Sequence, residues 1–450
     1  MRNYEPLKRI ITFVFLLIAI IGLAGIFAWV WYQFYAYEIV KPFYRKGNWL
    51  VIAVYAFLMY CGQRVNEGNK VGYYTFGHVV FSQILSIGIV NILMYVLISL
   101  IGRKFLGVWP MLAASAIDCF WMMIWTFVGD KMYHKLYPPR KMVLISAKGK
   151  QADALIAKIA SREDKYQVKD WIDQAEGIEK ILPRLSRYDA VILCDLNVQI
   201  RNAISKYCFE NDIRVYVSPR ISDVIIKGAE EIHLFDSPLF LCRNYGLSIE
   251  QRIIKRTMDL LISIIALLVA SPIFLFIALA IKLDDGGPVL YKQERLTRGA
   301  KVFYIYKFRS MIVNAEATGI RLAGKQDDRI TAVGKVLRRY RLDELPQLLN
   351  ILKGDMSIVG PRPERPVLAE KIAEEIPEFP YRLKVKAGLT GFAQVLGKYN
   401  TSPYDKLKMD LLYISQYSIL LDLKIILMTP KMLFIKEKTE GVDESNKKAL

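Results

Sequence analysis

Two adjacent carboxylates, Asp343 and Glu344, stand in the segment RRYRLDELPQLLN directly after a run of basic residues. The cations of this run are Lys335, Arg338, Arg339 and Arg341. One carboxylate of such a pair can attack phosphorus as a nucleophile while the other binds a divalent cation, and nearby cations neutralise phosphate charge. The segment therefore predicts phosphate chemistry, although a solvated surface pair would have the same local sequence.

Pro346 predicts the local structure around this pair. Proline disfavours helical geometry in the residue before it, here Leu345. Proline also suits the first turn of a helix, so the apolar run from Leu348 to Leu352 is predicted to be helical. The carboxylates should then lie at a break in the chain, just before a helix N-terminus that attracts phosphate.

Longer motifs surround the pair in a fixed order. Residues 327–364 read DDRITAVGKVLRRYRLDELPQLLNILKGDMSIVGPRPE, residues 286–311 read GGPVLYKQERLTRGAKVFYIYKFRSM, and residues 385–400 read VKAGLTGFAQVLGKYN. From about Lys255 to Lys431 the chain resembles the bacterial sugar transferases, also called polyprenyl-phosphate hexose-1-phosphate transferases or monotopic phosphoglycosyl transferases. Its layout resembles that of the large members of this family.

This resemblance implies an enzyme that transfers a sugar-1-phosphate from a UDP-sugar to undecaprenyl phosphate and releases UMP. Asp343 would form a covalent aspartyl phosphosugar intermediate and Glu344 would bind Mg²⁺. The predicted donor is UDP-glucose or UDP-galactose, with an N-acetylated UDP-sugar as the alternative. The product would start the synthesis of an exopolysaccharide, a capsule or an O-antigen.

Further binding residues are carried over from the family motifs. The positions expected to bind substrate or phosphate are Lys307, Arg309, Arg338, Arg362, Glu364 and Gln394. Each of these cations, taken alone, would be interpreted as an ordinary solvated surface residue. The chain departs from the family pattern at Ala387, where members commonly have proline, and at Thr297, where they have glycine. These departures leave the reaction class unchanged but can alter loop geometry.

The composition indicates a membrane protein that binds anionic partners. The 450 residues are enough for two or three domains, 53% of them are hydrophobic, and the net charge is +19. No recognition helix or zinc-finger spacing supports nucleic acid as the partner, so membrane lipid and phosphorylated substrates are preferred. Five cysteines without CxxC spacing and only three histidines argue against a zinc site and indicate a reducing compartment. Any metal should be a hard cation on oxygen ligands.

The first 138 residues are predicted to form four transmembrane helices. The apolar runs cover residues 10–37, 48–63, 71–102 and 105–129. Basic residues flank both ends of the region, which places both ends on the cytoplasmic side of a bacterial inner membrane, as in a multi-pass protein. Asp118 lies inside the last run, where a hydrogen bond between helices is favoured over proton or ion transport.

Residues 139–248 are predicted to form a doubly wound, Rossmann-like α/β domain. Short β-rich runs such as MVLIS, YDAVILC and RVYVS alternate with amphipathic stretches. The first strand-to-helix turn has one glycine, Gly149, where a dinucleotide fingerprint needs three, so a structural or regulatory spacer is preferred over a nucleotide site.

Residues 249–436 are predicted to form a monotopic α/β catalytic domain on the cytoplasmic face. Its apolar run, 258–282, contains Ser271 and Pro272, which predict a sharp break and a re-entrant helix hairpin that dips into one leaflet. A kinked true span is the alternative. The remaining residues, 437–450, are predicted to be a polar tail, and a homodimer is predicted by analogy.

Two other functions are alternatives to the transferase. A transporter would need several buried ionisable groups or paired broken helices, and the sequence has one such carboxylate and one such helix. A membrane scaffold or regulator of polysaccharide assembly would not need the carboxylate pair. A scaffold role is therefore expected mainly for the first 245 residues, in addition to catalysis.

Overall fold

The computed structural model describes residues 6–39, 42–147, 149–160, 162–242, 246–313, 315, 327–397 and 401–434. The chain divides into two compact units, Met1–Pro219 and Arg220–Leu450. The predicted polar tail, 437–450, lies outside the described residues.

The first unit begins with a helix bundle. Its helices are α1 (Lys8–Val30, continued by a π-helical turn Trp31–Tyr35), α2 (Arg45–Val65), α3 (Phe76–Gly102) and α4 (Trp109–Leu136). Phe27 of α1 stacks on Tyr55 of α2, with ring centroids 4.1 Å apart, and both side chains lie in one apolar core with Ile87 of α3 and Met122 of α4. Large apolar side chains such as Phe57 and Phe120 point outward, as expected for a bundle surrounded by lipid.

Four helices are long and apolar enough to cross a membrane, but the set differs from the predicted one. Within the described residues these are Lys8–Tyr35, Phe76–Gly102, Trp109–Leu136 and Ile249–Asp285. The predicted span at 48–63 lies in α2, a helix outside this set. The difference arises because polar residues occupy both ends of α2, from Arg45 to Asn48 and at Gln63 and Arg64, and leave a short apolar stretch.

Asp118 joins three helices of the bundle. Its Oδ2 atom accepts hydrogen bonds from the Tyr55 hydroxyl at 3.0 Å and from the Asn91 amide at 3.1 Å. The carboxyl group is fully buried. The predicted hydrogen bond between helices is therefore confirmed.

The rest of the first unit is a parallel sheet with helices packed on both faces. Its strands are β1 (Arg140–Ser146), β2 (Tyr166–Asp173), β3 (Ala190–Cys194) and β4 (Arg214–Val217), in the order β2-β1-β3-β4. The helices are α5 (Lys150–Ala160), α6 (Ile178–Leu185) and α7 (Val198–Glu210). Alternate β1 residues enter different cores: Met142 and Leu144 lie with Ala152 of α5, while Val143 and Ile145 lie with residues of α6 and α7. The small parallel sheet agrees with the predicted alternation of strands and helices, and the doubly wound domain over residues 139–248 stays a prediction.

The second unit begins with α8 (Ile221–Lys227), the hairpin β5 (Glu230–Leu234) and β6 (Ser237–Leu241), and the long helix α9 (Ile249–Asp285). Next are the hairpin β7 (Leu290–Leu296) and β8 (Val302–Phe308), α10 (Ala332–Arg339), α11 (Gln347–Lys353), β9 (Met356–Val359) and α12 (Pro366–Glu375). The last elements are β10 (Ala387–Thr390), parallel to β9, α13 (Phe392–Leu396), α14 (Pro403–Ser415) and α15 (Ile419–Phe434).

Helix α8 lies in this second unit, although the sequence placed it in the middle domain. Its residues Ile221 and Val224 are buried against Phe379 and against Leu407 and Leu411 of α14. Amphipathic periodicity marks a buried face but does not identify what covers it.

Helix α9 runs from Ile249 to Asp285 as one helix, through Ser271 and Pro272. The helix therefore contains no non-helical segment at these residues, and a sharp bend at Pro272 stays a prediction. Pro272 has no amide hydrogen to donate to the Leu268 carbonyl, but the Ser271 hydroxyl donates to that oxygen at 2.8 Å. The predicted role of Ser271, which was to satisfy the backbone freed by proline, is confirmed. Entry and exit through one leaflet stays a prediction.

Polar contacts hold the first part of α9 against β9 and α15 in the second unit. Asp259 accepts a hydrogen bond from the Ile358 amide of β9 at 3.0 Å, and Lys255 lies 2.5 Å from Asp422 of α15. Because β9 leads directly into residues 360–364, the Asp259 contact connects the apolar helix to the loop that carries Arg362.

Candidate active site

The Asp343–Glu344 pair lies on a tight turn between α10 and α11. Arg341 has a left-handed backbone with φ +54°, which costs a non-glycine residue about 1–2 kcal/mol. Leu342–Glu344 form a 3₁₀ turn in which the amides of Glu344 and Leu345 donate to the carbonyls of Arg341 and Leu342, both at 3.2 Å. The chain therefore reverses sharply and presents the two carboxylates together.

One prediction about this turn is confirmed and another is wrong. Helix α11 begins at Gln347, directly after Pro346, as predicted. Leu345, however, is helical, with φ −54° and ψ −38°. The preference against helix before proline is overcome here because the 3₁₀ turn supplies a hydrogen bond for the Leu345 amide.

Glu344 is surrounded by three cations that come from separate parts of the chain. Its Oε1 atom accepts from Arg362 Nη2 at 2.9 Å and from Lys307 Nζ at 3.4 Å, while Oε2 lies 3.9 Å from Arg341 Nη1. Lys307 is delivered by β8 and Arg362 by the loop that follows β9. The Glu344 side chain is 12% exposed, whereas the Arg362 side chain is 43% exposed. Arg362 therefore keeps part of its guanidinium available to a ligand.

The pKa values of the two carboxyl groups shift in opposite directions. Burial raises the pKa of Asp343, and the charge of Glu344 adds to the rise against the opposing charge of Lys307. Burial also acts to raise the pKa of Glu344, but Arg362, Lys307 and Arg341 together hold it well below its usual range. Glu344 thus remains ionised, and Asp343 is the more basic of the two oxygen nucleophiles.

Burial lowers the pKa of Lys307, although Glu344 and Asp343 oppose this effect. Arg338 of α10 lies close enough for its charge to lower the pKa of Asp343. The structure therefore brings together five of the residues singled out in the sequence: Asp343, Glu344, Lys307, Arg338 and Arg362.

Two arginines that the sequence reasoning missed hold the Arg362 loop. Arg382 Nη2 donates to the Arg362 carbonyl at 2.9 Å, and Arg295 Nη1 donates to the Pro363 carbonyl at 3.0 Å. Glu364 lies between them, 3.7 Å from Arg382 and 3.9 Å from Arg295. The predicted residue Glu364 therefore contacts the two arginines that support the loop.

Arg382 is itself anchored by Asp410 of α14, at 2.8 Å, and both side chains are almost fully buried. Burial raises the pKa of Asp410 to about 6, against the charge of Arg382. No motif around Arg382 or Asp410 indicated this pair, because their partners lie far away in the sequence.

Arg309 and Gln394, also predicted to bind substrate, make other contacts. The Arg309 guanidinium forms a two-pronged pair with Asp285 and donates through Nε to the Pro288 carbonyl at 2.8 Å, so it links the end of α9 to β8. Gln394 donates to the Leu389 carbonyl at 3.3 Å, and its buried Oε1 atom has no hydrogen-bond partner among the described residues. Their binding roles stay predictions.

The two departures from the family pattern contact each other. The Ala387 amide donates to the Thr297 hydroxyl at 3.2 Å, and that hydroxyl donates to the Asp355 carbonyl at 2.8 Å. A proline at 387 would have no amide hydrogen, and a glycine at 297 would have no hydroxyl. The Thr297 hydroxyl therefore supplies the hydrogen-bond acceptor that the Ala387 amide requires.

The carboxylate pair can be tested as a magnesium site. Mg²⁺ prefers oxygen donors and is commonly bound by one or two carboxylates together with substrate phosphates. No group of three or more His, Cys, Asp or Glu residues suited to a metal is found in the described part of the chain. Glu344 therefore stays the predicted Mg²⁺ ligand, and the phosphates of the substrate would have to supply further oxygen donors.

Comparisons with known proteins agree on the second unit. Residues 250–436 match the family model described as bacterial sugar transferase. An exopolysaccharide production protein of Rhizobium leguminosarum bv. phaseoli is 40% identical over 203 residues, which cover 42% of this chain and 97% of that protein.

Two longer relatives match a larger part of this chain. A UDP-N-acetylgalactosamine-undecaprenyl-phosphate N-acetylgalactosaminephosphotransferase of Aeromonas hydrophila is 39% identical over 253 residues, 54% of this chain and 58% of the relative. A UDP-glucose:undecaprenyl-phosphate glucose-1-phosphate transferase of Klebsiella pneumoniae is 36% identical over 278 residues, 60% of this chain and 58% of the relative. The match thus spans 58% of the length of each of these two relatives.

Proposed function

Because the chain belongs to the bacterial sugar transferase family, we propose that it transfers a sugar-1-phosphate from a UDP-sugar to undecaprenyl phosphate. The products are UMP and a sugar linked to the polyprenol through a diphosphate. The reaction would supply the first lipid-linked sugar of an exopolysaccharide, capsule or O-antigen.

In the first step a carboxylate oxygen of Asp343 attacks the phosphorus that carries the sugar. The bond between this phosphorus and the oxygen bridging to UMP breaks, and its electron pair leaves with UMP. The sugar phosphate is then esterified to Asp343 as an acyl phosphate. In the second step a phosphate oxygen of undecaprenyl phosphate attacks the same phosphorus, and the bond to Asp343 breaks to restore the carboxylate.

Neither step needs a general base or acid. Both nucleophiles are anions, and both leaving groups, a phosphate and a carboxylate, are stable without a proton. Accumulated negative charge is the main obstacle, and it is met by Lys307, Arg338, Arg341 and Arg362 around the carboxylate pair. A Mg²⁺ ion held by Glu344 would supply further neutralisation of the diphosphate.

The observation that carries this proposal is the set of cations gathered around two neighbouring carboxyl groups. Lys307, Arg341 and Arg362 lie within 4 Å of Glu344, and burial raises the pKa of the adjacent Asp343. A nucleophile and a cation-binding residue need these different properties.

The test is to incubate the full chain with Mg²⁺ and single UDP-sugars in the absence of lipid. We expect a burst of UMP, equal at most to the amount of enzyme, and an increase in intact protein mass equal to one sugar phosphate. Asp343→Asn should lose both signals, while the exposed control Glu374→Gln should retain them. UMP that appears only when donor and lipid are present together would contradict the covalent route.

The same experiment identifies the donor. We propose UDP-glucose or UDP-galactose as the substrate and an N-acetylated UDP-sugar as the alternative, since relatives named for glucose and for N-acetylgalactosamine transfer both match this chain. A burst with only one UDP-sugar would assign it.

We also place the second unit on the cytoplasmic face of the inner membrane, where UDP-sugars are found. Single cysteines introduced at exposed positions such as Glu374 should react with a membrane-impermeant maleimide only after the cells are opened. Labelling in intact spheroplasts would contradict this location.

A further inference from the structure

The loop that carries Arg362 is fixed by the backbone at its ends and by side chains in its middle. The Gly360 amide donates to a carbonyl of β10 at 2.9 Å, and the Glu364 carbonyl accepts from an amide of β7 at 3.0 Å. Between them, the Arg362 carbonyl accepts from Arg382 Nη2 at 2.9 Å. Arg382 therefore holds the peptide whose side chain faces Glu344.

Three groups enclose the Arg382 side chain, which is 5% exposed. Its Nη2 atom lies 2.8 Å from Asp410 of α14, its Nη1 atom lies 3.7 Å from Glu364, and its guanidinium carbon lies 4.9 Å from the centroid of the Phe379 ring. A guanidinium is planar and its donors point in fixed directions, so its orientation depends on where these groups lie. The place of Arg362 therefore depends on Phe379 and Asp410.

Helix α8 packs against the elements that carry these two groups. Its buried residue Ile221 lies in one apolar core with Phe379 and with Leu411, which directly follows Asp410 in α14. Removal of apolar atoms from this face of α8 would leave space into which the neighbouring side chains can shift. A change in α8 is therefore expected to reach Arg382.

The contact between α8 and α14 is close. A Cβ atom at Gly228, directly after α8, would overlap the backbone and side chain of Ser415 at the end of α14. Glycine therefore permits the two helices to approach each other. Helix α8 begins at Ile221, two residues after the first unit ends at Pro219, so it is the first element of the second unit along the chain.

We propose that α8 is a positioning element for the active site. Through Phe379 and α14 it keeps Arg382 in the orientation that places Arg362 opposite Glu344. This role rests on the proposed function, in which Arg362 neutralises charge on the substrate diphosphate. Arg382 and α8 act through Arg362 rather than on the substrate, and a displacement of about 1 Å at such a group can slow a reaction about 100-fold.

The first experiment makes the same substitution at two positions of α8 in the full chain. Ile221→Ala removes buried apolar atoms, and Ile226→Ala, at a position that is 51% exposed, is the matched control. The signals are the amide hydrogen exchange of residues 360–365 and the rate of the UMP burst. Ile221→Ala should raise the exchange rate about fivefold and lower the burst rate about threefold, while Ile226→Ala should change neither.

Coupling to Arg362 is then tested in an Arg362→Met background. There Ile221→Ala should lower the burst rate no further, because the group that α8 positions is already absent. A threefold loss that persists in this background would overturn the proposal, since α8 would then act by another route. Unchanged hydrogen exchange in Ile221→Ala would also overturn it.

A second set of variants tests Arg382. Arg382→Met combined with Asp410→Leu removes both charges of the buried pair, so the protein should stay folded while the Arg362 carbonyl loses its donor. The exchange rate of residues 360–365 should rise at least about tenfold. Arg382→Lys, which keeps a charge and a donor, should retain part of the protection. Exchange as slow as in the wild type for the double variant would contradict the role of Arg382.

Hydrogen exchange needs no substrate, so the positioning role and the proposed reaction can fail separately. A wild type that forms no adduct with any UDP-sugar would contradict the proposed function. The exchange rates of the variants would still decide whether α8 and Arg382 hold the Arg362 loop.

Discussion

Two buried carboxylates in the second unit, Glu344 and Asp422, have very different surroundings. Asp422 is fully buried, its Oδ2 lies 2.5 Å from Lys255, and its Oδ1 accepts from the Tyr413 hydroxyl at 2.8 Å. Glu344 instead faces Lys307, Arg341 and Arg362, and the last of these is 43% exposed. One centre is balanced and closed, while the other has surplus positive charge that a ligand can reach.

This contrast teaches how a structural ion pair differs from a candidate reaction site. A balanced pair such as Lys255–Asp422 needs nothing further and serves to hold α9 against α15. Surplus cations around one carboxylate are costly without a ligand, and they become favourable when a diphosphate is bound. Burial of a carboxylate does not by itself separate the two cases.

The largest effect is expected at Asp343. Asp343→Asn should lower adduct formation and transfer by at least about 10³-fold, because the amide is not a nucleophile for phosphorus. The raised pKa means that this group favours folding at acidic pH and that the benefit is lost as the pH rises through its folded-state pKa. Asp343→Asn should therefore be as stable as the wild type or more stable at neutral pH, as measured by the thermal midpoint. A destabilised variant would contradict this.

The opposite pattern is expected at the balanced pair. Lys255→Met leaves Asp422 buried without its cation and should cost about 3–5 kcal/mol in the free energy of unfolding. Activity per folded molecule should change little. Lys255→Met combined with Asp422→Leu should recover part of the stability, which thermal unfolding of both variants would measure. A loss of activity without a loss of stability would make this pair functional.

Arg362 should affect rate much more than stability. Arg362→Met removes a cation that is partly exposed and aimed at the diphosphate, so the rate of adduct formation should fall about 100-fold. The thermal midpoint should move little, because Lys307 and Arg341 still face Glu344. A large fall in the thermal midpoint of Arg362→Met would show that Arg362 stabilises the fold, as Lys255 does.

The pH dependence of adduct formation should report Asp343. The rate should fall as the solution is acidified through a pKa above the ordinary aspartate range, since the nucleophile must be ionised. Arg338→Gln removes a charge that lowers this pKa and should move the acidic limb to higher pH. A downward shift would contradict the placement of Arg338.

The smallest effect is expected where Thr297 accepts from Ala387. Thr297→Val leaves the buried amide unpaired and should cost about 1–3 kcal/mol. In an Ala387→Pro background the amide hydrogen is absent, so the same change should cost about 1 kcal/mol less. A double-mutant cycle on the thermal midpoints measures this coupling, and strictly additive costs would contradict it.

The sequence by itself determined the features that depend on neighbouring residues. Asp343 and Glu344 are adjacent, Pro346 precedes a helix, and alternating β-rich and amphipathic stretches specify a doubly wound sheet. Ser271 sits beside Pro272 and reaches the carbonyl that proline leaves free. The adjacent carboxylates, the helix after Pro346, the parallel pairing of the β-rich runs and the Ser271 contact follow from local backbone geometry or from side-chain periodicity, which a single sequence contains.

Only the tertiary structure decided which distant groups meet. Arg309 and Arg362 have the same charge, yet one binds Asp285 and the other faces Glu344. Arg382 and Arg295 donate hydrogen bonds to the Arg362 loop, and α8 lies in the second unit. A guanidinium or an apolar helix face can pair with many partners of similar energy, so long-range packing, which no short segment contains, selects among them.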